Sequence, residues 1–339
     1  MKIIETLYEK HYKRILIIPV LALIFSLLFL FYFYKTNGDL FYKDVSLTGG
    51  TTITIFSEVN AKELEKELYK ITNNLEVRKI SDSTGKQIQV VIIVPEKYSE
   101  EVKKKIEEFL GHKLTQENSS IETTSSFLSS NFYKQMLGAV FLSFFWMSAA
   151  VFLIFSNNTK SKIVTAILSI FLGILFGKFI NSPSSVYLLL IVIPFCLVLI
   201  YMYYKYSIPS LAVIFAALSD IIMTLVCVNL IGMKISLAGI VAFLMLIGYS
   251  VDTDILLTTR VLRKKEGSVN DEIVRAFKTG ITMSLTSLFA IIAALFFVYR
   301  YGTVLNEIFI ILSFGLVFDI FNTWLGNAPI IKWYIERKK

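Results

Sequence analysis

Long apolar runs separated by short polar stretches make up most of the chain. A helix needs about 20 mostly apolar residues to cross the hydrocarbon core of a bilayer, and eight runs reach or approach that length. The third run has Lys178 near its end, where a long side chain can extend its amine to the membrane interface. We therefore predict eight membrane-spanning helices, at residues 15–34, 136–156, 163–181, 185–204, 208–231, 237–257, 279–299 and 308–331.

The polar segment 35–134, between the first two spans, has a different pattern. Alternating apolar residues predict strands there, and amphipathic stretches predict helices. The order strand, helix, strand, strand, helix, strand is that of ferredoxin-like folds. Its Glu and Lys residues fall on helix faces, so we expect a solvated surface rather than a catalytic cluster. The predicted elements are a strand at 45–56, a helix at 60–73, strands at 75–81 and 87–94, a helix at 96–111 and an extended stretch at 113–126.

Composition narrows the class of protein. Of the 339 residues, 55% are hydrophobic, which indicates a polytopic membrane protein rather than a soluble enzyme. The net charge of +8 does not predict a nucleic-acid partner, because the charged residues lie between apolar runs, where they set orientation. Cys196 and Cys227 both lie in apolar runs, so we expect neither a disulfide nor a metal site. The chain has no GxxxxGK[ST] phosphate-binding motif, so we expect its energy to come from a gradient or a partner, and we expect no cofactor.

Lys and Arg in the short loops predict the orientation of the spans. Positive residues are concentrated in residues 1–14, in the loops after spans 2, 4 and 6, and in the tail 332–339. In an eight-span count all five segments lie on one side, which is then the cytoplasm. The predicted fold class is therefore an α-helical polytopic protein of the cell membrane, with both termini cytoplasmic and an extracytoplasmic α+β ferredoxin-like domain at 35–134.

Four aspartates interrupt the later apolar runs. Asp220 and Asp319 stand near the middle of spans 5 and 8, and Asp252 and Asp254 interrupt span 6. An ionised carboxylate at the bilayer centre costs about 2.5–3.5 kcal/mol on insertion scales, so four of them in one bundle need a reason. One interpretation is structural, with each Asp protonated or hydrogen-bonded in helix packing. The other is an ion or proton pathway in which these aspartates form the relay.

Arg260 lies two helical turns beyond Asp252 on a similar face. It could pair with a carboxylate on another helix and hold it ionised, or it is simply the first positive residue of its loop. Asp252 and Asp254 are about 200° apart around a helix, so a regular helix cannot aim both at one point unless Gly248 loosens it. The segment 270–278 is amphipathic, which predicts a helix along the cytoplasmic interface.

Other residues of the same spans predict close contacts between helices. Small residues let two backbones approach, and polar amides can hydrogen-bond across the contact. Asn322 and Asn327 on span 8 are either such interhelical contacts or part of the pathway. The small residues are Ala216, Ala217 and Ser219 in span 5 and Ala238, Gly239 and Ala242 in span 6.

Several stretches resemble the archaeal branch of the SecF family of protein-export membrane proteins. The match in span 6 is long and specific, and it includes the motif Gly248, Tyr249 and Ser250. The pair Gly49 and Gly50, just after the first span, resembles the Gly-Gly motif that opens this family's external domain. The stretches that carry the resemblance are residues 47–55, 209–221, 244–267 and 318–331.

The resemblance implies a function and partners. The family belongs to the superfamily of proton-driven resistance–nodulation–division (RND) transporters, whose members resemble six-span units with a ferredoxin-like domain after the first span. A SecD-type protein is then expected as the other half of a heterodimer, with the Sec translocon and an exported unfolded polypeptide as further partners, all at the lipid bilayer. The pair is expected to use a proton gradient to assist late steps of protein translocation, without enzymatic activity. The resemblance carries the relay role over to Asp220 and Arg260, and Asp252 and Asp254 match the archaeal form of the motif.

Two departures and two alternatives stay open. Ser46 stands where the family often has an acidic residue before the Gly-Gly motif, and residues 157–206 supply two spans where six-span units have a short loop. The spans at 136–204 therefore include a two-span insertion, and those at 208–331 contain the relay core. The alternative functions are a subunit of an RND-type exporter of small molecules or lipids, and an assembly factor that transduces no energy.

Overall fold

The structure is a computed structural model of the chain. It describes residue 8 and residues 11–57, 59–72, 75–81, 86–181, 186–263, 268–299 and 304–338. Residues 1–7 of the predicted cytoplasmic terminus and part of the basic loop after span 6 lie outside the described residues.

A small antiparallel domain follows the first long helix. Its sheet has the strand order β2-β3-β1-β4, and its strands and helices follow one another along the chain in the predicted ferredoxin-like order. Two helices cover one face, where Leu64, Leu68, Val102 and Ile106 pack against the apolar side of the strands. The elements are α1 (Ile17–Asn37), α2 (Val45–Thr48), β1 (Gly50–Ile55), α3 (Ala61–Leu68), β2 (Glu76–Ser81), β3 (Gln87–Val94), α4 (Ser99–Leu110) and β4 (Ser119–Thr124).

The first predicted strand, 45–56, is only partly extended. The backbone carbonyl of Asp44 accepts hydrogen bonds from the amides of Leu47 and Thr48, and its carboxylate accepts one from the amide of Ser46. These bonds wind the segment into one helical turn, α2, because a side chain that accepts from following amides starts a helix. Gly49, with φ of 86°, then ends the turn in a conformation that other residues rarely adopt. The last predicted stretch, 113–126, is extended only in β4.

The rest of the described residues are mostly helical. Among them, eight long helices correspond to the eight predicted spans, and seven of these are long and apolar enough to cross a membrane. The described apolar part of the remaining helix, Leu190–Tyr206, is shorter. After β4 come α5 (Ser126–Phe155), α6 (Thr159–Asn181), α7 (Val186–Tyr206), α8 (Ile208–Leu230), α9 (Leu237–Leu262), α10 (Val269–Val298), α11 (Val304–Asn322), a π-helix (Thr323–Asn327) and α12 (Ala328–Lys338).

Several helix boundaries differ from the prediction, and three of the differences are larger than the others. Helix α5 begins at Ser126, ten residues before the predicted span, because the Ser125 side chain accepts from the amide of Leu128 and caps it. The segment 270–278 does not form a separate surface helix but is the first part of α10, since Ile273 and Ala276 are fully buried against the bundle. The predicted tail 332–339 continues span 8 as α12 as far as Lys338, where the described residues end.

The domain is fastened to one end of the bundle through the turn between α8 and α9. The Asp44 amide donates to the carbonyl of Ile235 (2.9 Å), whose own amide donates to the carbonyl of Tyr42 (2.7 Å). The Asn229 side-chain amide donates to the carbonyl of Leu40 (2.9 Å). We call this end of the bundle the domain end, and the end where α9 and α12 finish the far end.

Helices α8, α9 and α11 form the centre of the bundle, and α6 and α7 lie at its side. The inserted pair packs against α5 through Phe152, Leu172 and Tyr203. Gly315 on α11 faces the Leu246 side chain on α9, where an added Cβ would come within 2.9 Å of Leu246 Cγ. The absent side chain therefore lets α9 and α11 approach closely, which small residues allow between membrane helices.

Candidate ion-relay site

Three of the predicted relay carboxylates meet in the centre of the bundle. Asp220 on α8, Asp254 on α9 and Asp319 on α11 are each fully buried, with 0% of the residue surface exposed. Each of these three helices contributes one carboxylate, and each packs against the other two. The site therefore depends on the packing of α8, α9 and α11 against one another. We call the three residues and their hydrogen-bond partners the carboxylate cluster.

Asp220 accepts hydrogen bonds from two neighbouring helices. The Ser250 hydroxyl on α9 donates to Asp220 Oδ2, and Asn322 Nδ2 on α11 donates to Asp220 Oδ1 (2.7 Å). The same amide of Asn322 lies 3.5 Å from the sulfur of Met223. Both donors are neutral, so the contacts stabilise the carboxylate without supplying a positive charge.

Asp254 and Asp319 are joined through Thr323. The Thr323 hydroxyl lies 2.9 Å from Asp254 Oδ1 and 3.3 Å from Asp319 Oδ1. Asn327 Nδ2 also donates to Asp254 Oδ1 (2.7 Å), and the Ser284 hydroxyl on α10 donates to Asp319 Oδ2 (3.1 Å). All the donors are again neutral hydroxyls or amides. Among the described residues, these carboxylates make no ion pair.

Apolar contacts enclose the cluster on both sides. Towards the domain end, Leu246 fills the space beside Gly315. Towards the far end, the indole of Trp324 lies against Phe277, with ring centroids 4.9 Å apart, and fits over Gly280, where an added Cβ would meet Trp324 Cζ2 at 2.6 Å. The carboxylates are therefore shielded from solvent in this arrangement of the helices.

Three acceptor atoms in the cluster have no hydrogen-bond partner. They are Asp254 Oδ2, Asn322 Oδ1 and Asn327 Oδ1, and all are buried. A buried acceptor without a donor costs about 1–3 kcal/mol, and a proton on one of the carboxyl groups would supply a donor. Among the described residues, no group of His, Cys, Asp and Glu side chains forms a metal site.

Two predicted relay residues lie outside the cluster. Asp252 is exposed on the outer face of α9, since a regular helix carries it away from Asp254, and α9 is continuous through Gly248. Arg260 Nη1 donates to the Arg275 carbonyl (3.2 Å) and the Thr279 hydroxyl (3.0 Å) on α10. In this arrangement Arg260 therefore bonds to the start of α10, and its pairing with a carboxylate stays a prediction.

Sequence reasoning did not find all of the polar residues around the cluster. Ser284 and Thr323 were not predicted as site residues, because single hydroxyl side chains are common in apolar runs and cost little free energy there. Of the motif in span 6, Ser250 reaches the cluster, whereas Gly248 and Tyr249 face outwards. The motif pair Gly49 and Gly50 belongs to the start of the domain. A spacing of four residues between Thr323 and Asn327, matching one helix face, was the available signal.

A further buried carboxylate lies at the domain end. Glu307 near the start of α11 accepts hydrogen bonds from the Ser236 amide (2.7 Å) and hydroxyl (2.6 Å) at the start of α9. A carboxylate beside the first amides of a helix is stabilised by the helix dipole. Glu307 also lines a cavity of about 440 Å³ that Arg78 of the domain borders. It joins α9 and α11 where the domain is attached.

Comparisons with known proteins agree with this architecture. A family profile described as protein export membrane protein SecD/SecF, C-terminal, matches residues 171–337. The protein-export membrane protein SecF of Methanocaldococcus jannaschii is 34% identical over 331 residues, which cover 96% of each chain. SecF of Methanothermobacter thermautotrophicus is 48% identical over 146 residues, 42% of this chain and 50% of that protein.

Solved structures show the same fold. The crystal structure of SecDF, a translocon-associated membrane protein from Thermus thermophilus, superposes with a TM-score of 0.56 at 16% identity. It matches 96% of this chain and 38% of the SecDF chain, so this chain spans well under half the length of SecDF. Because the identity with the archaeal relative extends along nearly all of both chains, the chain belongs to the SecF family of protein-export membrane proteins.

Proposed function

We propose that this subunit couples the movement of protons across the membrane to late steps of protein export, with the carboxylate cluster as the proton-binding site. Membership of the SecF family makes the chain an accessory subunit of Sec protein export. The proposal adds the energy source and the residues that use it. Asp220, Asp254 and Asp319 bind and release the proton.

The observation that carries the proposal is the burial of three carboxylates with neutral donors only. Asp220, Asp254 and Asp319 come from three different helices. Ionised carboxylates in a low-dielectric site repel one another and lose hydration, so the preferred packing of these helices depends on how many protons the site holds. A ligand shifts a conformational equilibrium when it binds one of the two packings more tightly than the other. Here the ligand is the proton.

Arg260 is proposed as a second relay residue that acts in another arrangement of the helices. Its two donors now bind α10 at Arg275 and Thr279. A small displacement between α9 and α10 would release them and bring a positive charge towards the carboxylates. An arginine that alternates between these partners would favour proton release from a carboxyl group when it is near.

Asp252 supports a second membrane protein as partner. It is exposed on α9 in line with Val241, Met245 and Tyr249, which are 38%, 42% and 43% exposed. A carboxylate facing lipid within a span is unfavourable, so a protein surface with a hydrogen-bond donor or a positive charge is expected to cover it. We propose a SecD-type protein on this face, with the Sec translocon and the exported polypeptide as further partners and both termini in the cytoplasm.

The experiment is export into vesicles with and without an imposed proton gradient. We expect Asp220→Asn to abolish the gradient-dependent stimulation, because the amide keeps the size of the side chain but cannot exchange a proton. Asp319→Asn should act in the same way. The matched control is Asp39→Asn, since Asp39 is a partly exposed residue outside the cluster that pairs with Lys43.

Co-purification of a SecD-type partner checks that the variants assemble. Full stimulation by Asp220→Asn protein, with the partner bound, would contradict the proton relay. That result would favour the alternative function, an assembly factor in which Asp220 has only a packing role. Wild-type stimulation that follows a sodium gradient and not a proton gradient would also contradict the proposal.

A further inference from the structure

One backbone carbonyl beside the carboxylate cluster has no donor within its own helix. In a helix the carbonyl of Trp324 bonds to the amide four or five residues later. The amide of Ala328 donates instead to the carbonyl of Thr323, and residue 329 is Pro, which has no amide proton. The π-helix therefore leaves the Trp324 carbonyl to a partner from elsewhere in the chain.

That partner is Tyr8, more than 300 residues away in sequence. The Tyr8 hydroxyl donates to the Trp324 carbonyl, and Tyr8 is 3% exposed. Burial raises the pKa of the Tyr8 hydroxyl, so it stays protonated and remains a donor. A buried carbonyl without a donor is unfavourable, which gives this single hydroxyl a definite role in the π-helix.

Tyr8 is also held by its backbone. Lys332 Nζ on α12 donates to the Tyr8 carbonyl (2.6 Å) and to Asn270 Oδ1 on α10 (2.7 Å). The ammonium lies 4.9 Å from the ring centroid of Tyr12 and 3.6 Å from the Glu336 carboxylate. Lys332 is 3% exposed, and a buried charge is stable only when such partners surround it. Tyr8 is thus fixed at both its backbone and its side chain.

The π-helix is the element that carries two donors of the cluster. Thr323 and Asn327, at its two ends, both donate to Asp254 Oδ1. We propose that Tyr8 is a positioning residue for the carboxylate cluster: its hydroxyl holds the π-helix at Trp324 and so holds Thr323 and Asn327 on Asp254. The proposal deepens the proposed function, and only its consequence for export rests on that function.

A carbodiimide, which reacts with buried protonated carboxyl groups, tests the proposal in native membranes. The rate of modification of Asp254 is measured by mass spectrometry in the full chain. We expect Tyr8→Phe to change this rate about fivefold, the factor that corresponds to one net hydrogen bond. The matched control is Tyr12→Phe, which removes a hydroxyl that bonds to Glu336 at the surface (2.6 Å), and it should leave the rate unchanged.

The variant Pro329→Ala shows whether the effect passes through the Trp324 carbonyl. Alanine at this position restores an amide donor within the helix, so Tyr8→Phe should have little effect in that background. An unchanged rate in Tyr8→Phe, or an equal change in the wild-type and Pro329→Ala backgrounds, would overturn the proposal. If Tyr8→Phe does not accumulate, the double variant should accumulate, and its absence would overturn the proposal as well.

These outcomes are separate from those that test the relay. Full gradient stimulation of export by the Asp220→Asn protein would contradict the proposed proton relay, but it would not bear on the positioning of Thr323 and Asn327 by Tyr8. Loss of stimulation in Asp220→Asn together with an unchanged rate of Asp254 modification in Tyr8→Phe would contradict only the positioning role of Tyr8.

Discussion

Asp254 and Asp319 share a single hydroxyl group, that of Thr323, at 2.9 and 3.3 Å. A hydroxyl has one proton to donate, so it can form a full hydrogen bond with only one of the two carboxyl oxygens at a time. The shorter distance assigns it to Asp254 in this arrangement. A proton on either aspartate changes which carboxyl oxygen needs the donor. Thr323 therefore links the charge states of Asp254 on α9 and Asp319 on α11.

Replacement of Thr323 by Val should break this link. Valine has nearly the shape of threonine, so the packing is kept while the hydroxyl is lost from two buried carboxyl groups. We expect a loss of about 1–3 kcal/mol in stability and loss of most of the gradient-dependent export. Thr323→Ser, which keeps the hydroxyl, serves as the control and should retain both. Denaturation of the purified complex and vesicle export measure the two effects, and equal behaviour of the Val and Ser variants would contradict the prediction.

Gly315→Ala should separate α9 from α11. The added Cβ would come within 2.9 Å of Leu246 Cγ, and overpacking of this kind costs about 1–3 kcal/mol. Gly248→Ala is the matched control, because nothing lies within 4 Å of a Cβ at that position. Alanine there should raise helix stability by up to about 1 kcal/mol.

The unfolding midpoint of each glycine variant in detergent measures the difference. Adding Leu246→Ala to Gly315→Ala should recover part of the loss, because it removes the atoms that the new Cβ meets. Equal midpoints for the Gly315 and Gly248 variants would show that the contact between α9 and α11 is looser than the distances indicate.

Glu307→Ala should weaken the attachment of α9 to α11 at the domain end. It leaves the Ser236 amide and hydroxyl, which donate at 2.7 and 2.6 Å, without an acceptor in a buried place. The expected loss is about 1–3 kcal/mol, measured by denaturation of the purified protein. Glu307→Gln keeps one acceptor oxygen and should lose less. A Glu307→Ala protein as stable as the Gln variant would mean that water replaces the carboxylate.

The predicted orientation is tested by cysteine labelling in intact cells. In the loop after span 2, a cysteine at Ser161 would be poorly accessible to the reagent, because Ser161 is 4% exposed. Its neighbour Lys160 is exposed and is the better position for the cysteine. We expect Lys160→Cys to react only after the membrane is permeabilised and Ser184→Cys to react from outside. Lys66→Cys, in helix α3 of the domain, should also react from outside. Labelling of Lys160→Cys in intact cells would show that the orientation is the opposite of the predicted one.

Much of the architecture was predictable from local patterns. Runs of about 20 apolar residues predict membrane helices because no other open structure satisfies backbone groups in lipid. The order of the strands and helices predicted in the segment 35–134 identified the ferredoxin-like domain. Asp220, Asp254 and Asp319 were candidate relay residues because charge is expensive in a span. None of these inferences required knowledge of contacts between distant residues.

What the tertiary structure decided was which of these groups meet. Asp252 and Asp254 have the same chemistry and nearly the same depth, yet packing buries Asp254 against α11 and leaves Asp252 on the outer face of α9. The bond from Tyr8 to the Trp324 carbonyl joins residues 316 positions apart, and no periodicity reports such a pair. Hydropathy records what each residue prefers, whereas the partner of a buried polar group is set by how the helices pack, and that is a property of the whole fold.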